Sequence, residues 1–600
     1  MLRHALTLLA RGFLHGALLY GAALSLLHVV HNRLTSPLDG AIVLTVFALL
    51  YGSLSAAAFA AGGLIVAAGT RHRAAKADAG RAALVAGLIA FALPFWFLVL
   101  NYGLTYDQVP LGPPRGVGGM LAFLALRTLL LALATIAIAP WLATFLAWVA
   151  APRRVATLAL LAIGLHLAVP LAFRRTPSPA AETGDNAQSE SIRAHPDGRK
   201  LILLGFDGAD WRVIEPLLRA GRLPNFARLM REGSYGPLAT LADANSAMIW
   251  ASIYTGAPVA RHGIEDFYRI RLPGMAAPGL FPVHRTFFKE IAGYLEPFGL
   301  AERRVLNGSS LRVAPIWELL DHIGMSIGVI DGLYVSYPAP ALHAGESYFL
   351  AYGLAARYQS LARQGGRPDG GKLGSYVEPR ELLEDVRPYL EREDGAWQAG
   401  AVLDLLRRRT QPRFLSLYTH QPDSVQHAFW KWYQPQYFLR TSERDRARFG
   451  DRIPATYVQL DKLVRDVLDR ADPDTVVAVI SDHGHSPTIL HANYTQHRHG
   501  PPGVLLLAGG PVRHGYRLEH AHVLDIFPTV LHLLGLPVPE AGAGRVLTEA
   551  LEPAALDRLP VRTTRAYATL TPERGPIPVR EDRERNRAEL EKLRALGYIR

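Results

Sequence analysis

The sequence contains no cysteine among its 600 residues. This absence excludes disulfide bonds and any metal site built on thiolates. A transition metal bound by this chain must therefore be held by histidine and carboxylate groups.

Beyond its first 175 residues the sequence also lacks an excess of basic charge. The formal net charge is +12, but residues 1–175 hold thirteen Lys or Arg and only three Asp or Glu, which leaves about +2 for the remaining 425 residues. No basic stripe of the kind that binds nucleic acid remains in that larger part. We therefore expect no nucleic-acid partner.

The first 175 residues contain long stretches with almost no charge. Five apolar runs are each long enough to cross a bilayer, and they cover residues 5–29, 41–68, 82–104, 119–149 and 155–173. No small-residue cleavage site follows the first run, so we interpret it as a retained helix and not as a signal peptide. Arg127 lies inside the fourth run, where it either snorkels from near the helix end or has a functional role.

Positive charges in the connections predict the orientation of these helices. Lys and Arg cluster before or within the first run, between the second and third runs, and between the fourth and fifth runs, whereas the other two connections hold one arginine each. The positive-inside rule then places the N-terminus in the cytoplasm. Because the number of spans is odd, everything after residue 176 is expected on the extracytoplasmic side.

The composition changes after the last apolar run. Residues 176–200 are rich in Pro, Ser, Ala and charge and are interpreted as a linker. From Leu201 onward, five short apolar runs alternate with helical patterns, which predicts an α/β domain with a mainly parallel sheet; in order they are LILLGF, SIGVID at 326–331, RFLSLY, TVVAVIS and GVLLLAG. We expect this domain to cover residues 201–545, with an insertion or cap at about 270–410, followed by a tail at 546–600 that contains an amphipathic helix.

Asp and His recur where the predicted strands end or begin. They are Asp207 after the first strand, Asp423 and His427 after the third, Asp482 and His483 at the end of the fourth, and His499 before the fifth. Each alone is compatible with a helix cap or a surface histidine, but ligands of parallel sheets gather at the carboxyl ends of strands. Three Asp and three His are enough for two Zn²⁺ or Mn²⁺ ions, which can together promote an in-line displacement at phosphorus.

A candidate nucleophile lies in ADANSAMIWASIYTG, residues 242–256. Ser246 precedes a helical run that continues to Tyr254, and a serine at that position commonly caps the helix. A helix N-terminus also gathers phosphate oxygens, and a metal-bound hydroxyl there loses its proton readily enough to attack. The position is compatible with both roles.

Seven segments in this order resemble the alkaline phosphatase superfamily: GFDGADW, PLLRAGRLPNFARLMREGSYG, the serine segment with YTGAPVARHGIEDF, HQPDSVQHAFW, SDHGHS, HGPPGVLLLAGGP and DIFPTVLHLLGLP. Within it they are similar to the type I phosphodiesterase and nucleotide pyrophosphatase branch in its bacterial membrane-anchored form. The resemblance spans roughly residues 200–550. It implies an alkaline-phosphatase-like α/β domain with helices on both faces of the central sheet. It says little about the five apolar runs, which on their own pattern predict an inner-membrane bundle of about five helices with the domain on the periplasmic side.

The resemblance also implies a role for each candidate residue. One divalent ion would be held by Asp207, Asp482 and His483, with the Ser246 hydroxyl completing the shell as the nucleophile. A second ion would be held by Asp423, His427 and His499; His499 is preferred to His497 because its four-residue distance to Gly503 matches the family spacing. Zn²⁺ is the expected metal and Mn²⁺ the alternative, and phosphate esters would be cleaved through a phospho-Ser246 intermediate. Asp210 and Trp211 are expected to begin the next helix.

Two departures from family patterns narrow the expected substrate. Related nucleotide pyrophosphatases carry an asparagine three residues after the nucleophile, where this chain has Ile249, so nucleotide specificity is not implied. Ser246 also lacks the x-Pro-x-Arg context that sulfatases need for formylglycine formation. A membrane anchor favours a lipid-linked or envelope-derived ester.

Two alternatives to a hydrolase remain open on the sequence. The first is a transferase that passes a phospho-headgroup to a lipid or glycan. The second is a membrane transporter or scaffold with an inactive phosphatase-like domain, although the apolar runs contain almost no charge that could line a polar pathway. The oligomeric state is not predicted.

Overall fold

The computed structural model describes residues 2–69, 152–175, 192–281, 288–569 and 579–595, together with single positions between 85 and 135. Short gaps inside these ranges fall at 193, 196–197, 364–367, 370–371, 392–396, 409–410, 439–440, 488–494 and 497–499. The predicted runs at 82–104 and 119–149 lie almost entirely outside the described residues, and so does Arg127.

Three N-terminal helices are long and apolar enough to cross a membrane. They cover Leu9–His31, Pro37–Gly62 and Arg153–Phe173, and they coincide with the first, second and fifth predicted runs. The first two pack closely because glycine lies between them: a Cβ on Gly16 would meet the Tyr51 carbonyl oxygen at 2.2 Å, and one on Gly21 would meet the Ala48 Cα at 2.7 Å. Small residues at such contacts allow helix backbones to approach each other.

The remainder of the described chain forms an α/β domain. Its strands, in chain order, are β1 (Lys200–Phe206), β2 (Gly233–Ala239), β3 (Tyr268–Arg271), β4 (Glu302–Val305), β5 (Ile327–Ile330), β6 (Tyr348–Leu350), β7 (Val377–Glu378), β8 (Phe414–Thr419), β9 (Thr475–Ile480), β10 (Ser486–Pro487), β11 (Thr495–Gln496), β12 (Gly503–Ala508), β13 (Tyr516–Arg517), β14 (Ala521–His522), β15 (Val538–Pro539) and β16 (Thr563–Thr564). The longer helices are Trp211–Arg219, Pro224–Arg231, Ser246–Thr255, Phe288–Leu295, Leu354–Arg363, Leu382–Leu390, Trp397–Arg408, Gln421–Tyr433, Arg452–Leu468, Ile526–Leu533 and Val579–Ala595.

Within the described residues, ten of these strands form one mixed sheet with the order β13-β2-β12-β9-β1-β8-β5-β6-β7, and β14 pairs with β2. The central strands are parallel: Leu201 of β1 pairs with Phe414 of β8 on one side and with Val476 of β9 on the other. β12 runs antiparallel to both β9 and β2, and β7 runs antiparallel to β6. The predicted mainly parallel α/β domain is therefore confirmed.

The central strand β1 is buried along Leu201–Phe206, as expected for a strand covered on both faces. Gly205 has no room for a side chain, because a Cβ there would meet the Trp250 ring at 2.6 Å. Trp250 lies in the helix Ser246–Thr255, so this glycine allows that helix to pack directly against the middle of the sheet. The packing places the start of the helix next to the carboxyl end of β1.

The α/β domain contacts the ends of the first two apolar helices through two side chains, Asn32 at the C-cap of the first helix and Asp39 in the first turn of the second. The Asn32 amide donates to the carbonyl of Phe281 (3.2 Å) and accepts from the N–H of the same residue (2.6 Å). The carboxylate of Asp39, which is 2 % exposed, accepts from the backbone N–H groups of Ala276 (2.8 Å) and Ala277 (3.0 Å). These bonds pair backbone groups of the domain with buried partners on the helices, and so fix where the domain sits relative to them.

The C-terminal helix Val579–Ala595 packs on the domain through polar groups. Asn586 bonds the backbone of β4, accepting from the Val305 N–H (2.6 Å) and donating to the Arg303 carbonyl (2.9 Å). Glu589 accepts from the hydroxyl of Tyr352 (3.0 Å). The predicted amphipathic helix is thus present, and its buried side carries hydrogen-bonding groups as well as Leu590 and Leu593.

Candidate active site

The predicted site residues that the structure describes come together at the carboxyl ends of the three central strands. Asp207 follows β1, the helix with Asp423 and His427 follows β8, and Asp482 and His483 follow β9. The side chains of all five are at least 97 % buried. His499 lies outside the described residues, as does His497.

Ser246 is the first residue of its helix, and the capping role belongs to its neighbour. The side chain of Asn245 accepts from the backbone N–H of Met248 (3.2 Å), which makes Asn245 the N-cap. The Ser246 hydroxyl points instead at His483 Nε2 (3.0 Å) and Asp207 Oδ1 (3.4 Å). In the structure, therefore, Asn245 caps the helix and the Ser246 hydroxyl faces candidate metal ligands, whereas the sequence alone was compatible with both roles for Ser246.

Asp207, Asp482 and His483 form one group of possible metal ligands around this hydroxyl. His483 Nδ1 faces the carbonyl oxygen of Gly484 at 3.2 Å, which assigns the proton of the neutral ring to Nδ1. His483 Nε2 then presents a lone pair towards Asp482 Oδ2 (3.2 Å) and Asp207 Oδ1 (3.5 Å). A nitrogen lone pair facing two carboxylates in a dry interior is the donor arrangement that a cation requires.

Asp423 and His427 form a second group, and the described residue that completes it is His485. Asp423 Oδ1 lies 3.1 Å from His485 Nε2 and 3.4 Å from His427 Nε2. Thr495 orients both rings, because its carbonyl oxygen lies 3.1 Å from His427 Nδ1 and its hydroxyl 2.9 Å from His485 Nδ1. The segment SDHGHS had pointed to His483 but not to His485, although an alternating D-H-G-H places two rings on one side of an extended chain.

His420 lies between the two groups and is a further residue that sequence reasoning missed. Its Nδ1 is 3.4 Å from Asp207 Oδ2 and its Nε2 is 3.4 Å from Asp423 Oδ2. Tyr418 donates its hydroxyl to Asp207 Oδ2 at 2.5 Å. The two carboxylates are therefore connected through one imidazole, which joins the two groups into one centre.

The buried carboxylates of this centre favour the binding of positive charge. Burial, together with the negative charge of Asp207, raises the pKa of Asp482 well above its ordinary value. Burial would also raise the pKa of Asp423, but the neighbouring imidazoles of His427 and His485 hold it well below the usual range. Three fully buried carboxylates this close together are costly unless cations neutralise them. The residues present therefore fit the binding of divalent cations, and His485 is the described residue that can provide a third ligand in the second group.

Gly208 allows the two groups to approach each other. Its φ is +68°, and a Cβ at this position would meet His485 Nε2 at 2.6 Å and Asp423 Cα at 3.1 Å. The backbone N–H of Gly208 also donates to Asp482 Oδ1 at 3.1 Å. Position 208 therefore requires glycine for two reasons, its positive φ and the lack of room for a Cβ atom.

Asp210 and Trp211 begin the next helix, as predicted. Asp210 caps the helix Trp211–Arg219 by accepting from the N–H of Arg212 (2.7 Å). Its other oxygen accepts from the N–H of His485 (2.9 Å). Asp210, the second aspartate of GFDGADW, therefore holds the backbone of two segments next to the site, and it belongs to neither group of candidate ligands.

The helix Ser246–Thr255 is held in place by a buried histidine, His262, at the end of the short helix Val259–His262 that follows it. His262 Nδ1 accepts from the backbone N–H of Ile264 (3.1 Å), and its Nε2 lies 2.9 Å from the hydroxyl of Ser252. Burial lowers the pKa of His262 to about 3. The ring is therefore neutral in the folded protein at any pH near neutrality.

We expect this histidine to make the domain less stable in mild acid. Its pKa is lower in the folded than in the unfolded state, so the unfolded chain binds the extra proton between about pH 6.5 and pH 3, and stability falls as the pH falls through this window. At pH 5 the loss from this group is about 2 kcal/mol. Melting of the full-length protein at pH 7.5 and pH 5 should therefore show a smaller acid-induced drop in Tm for His262→Gln than for wild type. An equal drop in both proteins would contradict this assignment.

Comparison with known proteins adds family information. Residues 201–514 match the family of type I phosphodiesterases and nucleotide pyrophosphatases. The chain is 41 % identical over 76 residues to the 2,3-bisphosphoglycerate-independent phosphoglycerate mutase of Cereibacter sphaeroides, which covers 12 % of this chain and 14 % of the mutase. The chain thus spans only a small part of that relative.

Similar solved structures share low sequence identity with the chain. Phosphonoacetate hydrolase from Sinorhizobium meliloti is 17 % identical with a TM-score of 0.31, over 50 % of this chain and 60 % of the hydrolase. Murine ectonucleotide pyrophosphatase / phosphodiesterase 5 is 13 % identical with a TM-score of 0.37, over 59 % of this chain and 100 % of that protein.

Proposed function

Because the chain belongs to the type I phosphodiesterase / nucleotide pyrophosphatase family, we propose that it is a membrane-anchored, metal-dependent phosphohydrolase with Ser246 as its nucleophile. The observation that carries the proposal is the Ser246 hydroxyl, 99 % buried at a helix N-terminus, within 3.0 Å of His483 Nε2 and 3.4 Å of Asp207 Oδ1. No other hydroxyl of the described residues joins a helix N-terminus to a group of candidate metal ligands in this way.

Two divalent ions fit the donor set, with Zn²⁺ favoured over Mn²⁺ by the mixture of imidazole and carboxylate ligands. Asp207, Asp482, His483 and Ser246 would hold one ion, and Asp423 and His427, together with His485 or His499, would hold the other. When bound, the ions would lower the pKa of the serine hydroxyl and stabilise negative charge on the attacking and leaving oxygens.

The protein groups set the geometry of the displacement. Ser246 Oγ attacks phosphorus and forms a new O–P bond as the bond to the leaving alcohol breaks. The first turn of the helix Ser246–Thr255 directs its N–H groups and the positive end of its dipole to the phosphate oxygens. Water then attacks the phosphoserine, so that the Ser246 O–P bond breaks and phosphate or a phosphomonoester leaves.

The residue at position 249 argues against a nucleotide-specific contact next to the proposed nucleophile. Ile249 lies three residues after Ser246 and is 1 % exposed, and its side chain offers no hydrogen bond to a phosphate oxygen. We therefore propose phosphate esters in general as the substrate class at this point, with the choice between monoester and diester left to measurement.

The three apolar helices support attachment to a membrane. We propose that the N-terminus is cytoplasmic and that the α/β domain lies on the periplasmic face of the inner membrane, as the distribution of Lys and Arg indicates. The domain boundaries proposed from the sequence are retained: helices up to residue 175, a linker to residue 200, a catalytic domain to residue 545 and a tail to residue 600.

The function is tested by hydrolysis assays on the purified full-length protein loaded with Zn²⁺ or Mn²⁺. Bis-p-nitrophenyl phosphate and p-nitrophenyl phosphate compare diester with monoester cleavage, and we expect metal-dependent release of p-nitrophenol from at least one of them. Adding a glycerol acceptor distinguishes a hydrolase from a transferase, because a transferase would form the glycerol phosphoester in place of free phosphate. Absence of turnover of both esters by the metal-loaded protein would contradict the proposal.

A further inference from the structure

A row of exposed apolar side chains lies on the segment between β3 and β4. The helix Phe288–Leu295 and the 3₁₀ turn Glu296–Phe298 present Tyr294, Phe298 and Leu300 with exposures of 62 %, 77 % and 53 %. We call these three residues the apolar ridge. Among the described residues beyond the apolar N-terminal helices, the only other exposed large apolar side chain is Val561, at 41 %. A group of exposed apolar residues on one short segment indicates a surface that a membrane or another molecule covers when the protein functions.

The ridge is continuous with the contact between the domain and the apolar helices. Phe288, the first residue of the ridge helix, is fully buried, and its ring lies 4.7 Å from Phe47 and 5.3 Å from His28. Both partners lie within helices that could cross a membrane. The ridge helix therefore starts beside the candidate spans whose ends are bonded to the domain through Asn32 and Asp39.

The composition of the ridge suits the boundary between lipid and water. Tyrosine and other aromatic side chains favour this region, where an apolar ring and a polar group can both be satisfied. Glu296 lies in the same segment, but its carboxylate pairs with the buried guanidinium of Arg303 at 2.5 Å. The carboxylate of Glu296 is thus already compensated within the protein.

Two side chains connect the ridge helix to the nucleophile. Lys289 Nζ lies 3.2 Å from Asp266 Oδ2, and Asp266 Oδ1 accepts from the amide of Asn245 at 2.9 Å. Asn245 caps the helix that begins with Ser246. Ser246 is therefore linked to the segment that carries the ridge through Asn245, Asp266 and Lys289.

We propose that the apolar ridge enters the bilayer leaflet next to the His31 and Pro37 ends of the first two helices, and that the substrate is a phosphate ester carried by a membrane lipid. The second part rests on the proposed phosphohydrolase function. A lipid anchor would hold the substrate in the same leaflet that receives the ridge, so that its phosphate lies at the headgroup level, next to the domain that carries Ser246.

The position of the ridge is tested by spin labelling, for which the absence of native cysteine gives a clean background. Phe298→Cys and the matched control Val561→Cys are labelled with a nitroxide in full-length protein in nanodiscs of phosphatidylethanolamine and phosphatidylglycerol. We expect the label at 298 to be relaxed by oxygen and protected from a water-soluble nickel chelate, and the label at 561 to show the reverse. A label at 298 that is open to the chelate, or shielded from both reagents by protein, would overturn the proposal.

The substrate class is tested with two esters that share the same reacting group. Methyl p-nitrophenyl phosphate is soluble, whereas hexadecyl p-nitrophenyl phosphate inserts into the nanodisc. We expect the double variant Phe298→Glu/Leu300→Glu to lose about tenfold or more of its rate on the hexadecyl ester and to keep its rate on the methyl ester, and the control Val561→Glu to keep both rates.

The outcomes separate the two levels of the proposal. If wild type cleaves neither of these diesters nor p-nitrophenyl phosphate, the proposed function fails. If wild type cleaves both esters but the double variant retains its full rate on the hexadecyl ester, the hydrolase function stands and the lipid inference is wrong.

Discussion

Replacing Ser246 with alanine is expected to reduce turnover of bis-p-nitrophenyl phosphate on the order of 10³-fold or more, because it removes the hydroxyl that we propose as the nucleophile. The other candidate ligands of that group, Asp207, Asp482 and His483, keep their side chains, so the variant should retain most of its bound metal. Activity and metal content measured on the same sample distinguish loss of the nucleophile from loss of the site.

The matched control for this variant is Ser252→Ala. Ser252 is a buried serine of the same helix whose hydroxyl bonds His262 and not the metal-ligand groups. We expect its replacement to lower the melting temperature and to leave turnover within a few-fold of wild type. Unchanged turnover in Ser246→Ala would remove Ser246 as nucleophile, and an equal loss in both variants would point to damage of the helix.

The second large effect is expected on removal of metal. Chelation leaves three buried carboxylates without cations, so activity should be lost and the protein destabilised. An ion present at a hundredfold its Kd stabilises a folded protein by about 2.7 kcal/mol per site. Treatment with a chelator should therefore lower the melting temperature by several degrees, and added Zn²⁺ should restore both properties.

Asp482→Asn tests the physical cause of that destabilisation. Because Asp482 lies beside Asp207 in a fully buried group, replacing its carboxylate by an amide removes a repulsion that only the metal-free protein experiences. We expect the metal-free variant to melt at a higher temperature than the metal-free wild type while binding metal more weakly. If chelation changes neither melting nor activity, the centre does not hold structural or catalytic ions.

The sequence predicted the parts of the site that are encoded locally. An apolar strand that ends in Asp207, or a helix with Asp423 and His427 four residues apart on one face, follows from the alternation of short apolar runs and helical patterns. Since parallel strands bring their carboxyl ends to one edge of the sheet, Asp482 and His483 could be expected in the same place. The fold class of the α/β domain followed from the same pattern.

Other parts of the site depend on contacts that no local pattern encodes. His485 joins Asp423 because Gly208 leaves room for its ring and because Thr495, ten residues later, bonds its Nδ1. His420 was overlooked because it precedes the helix in which the ligands were sought. Asn245, and not Ser246, became the N-cap because the serine side chain turns towards His483, a residue more than two hundred positions away.

The contact between the domain and the apolar helices could not be predicted from the sequence either. Asn32 and Asp39 have as partners backbone groups of Phe281, Ala276 and Ala277. Backbone partners cannot be recognised from the side-chain types of the residues that contribute them. Within 270–410, part of which was interpreted as an insertion, the run SIGVID predicted β5, but the short strands β6 and β7, which join the same sheet, were not predicted.

The bonds from Asn32 and Asp39 have a kinetic consequence. A domain fixed to the helix ends cannot swing away from the lipid headgroups, so encounters with a lipid-borne ester occur by lateral diffusion in two dimensions. The rate should then depend on the mole fraction of the ester in the bilayer and be insensitive to dilution of the whole suspension.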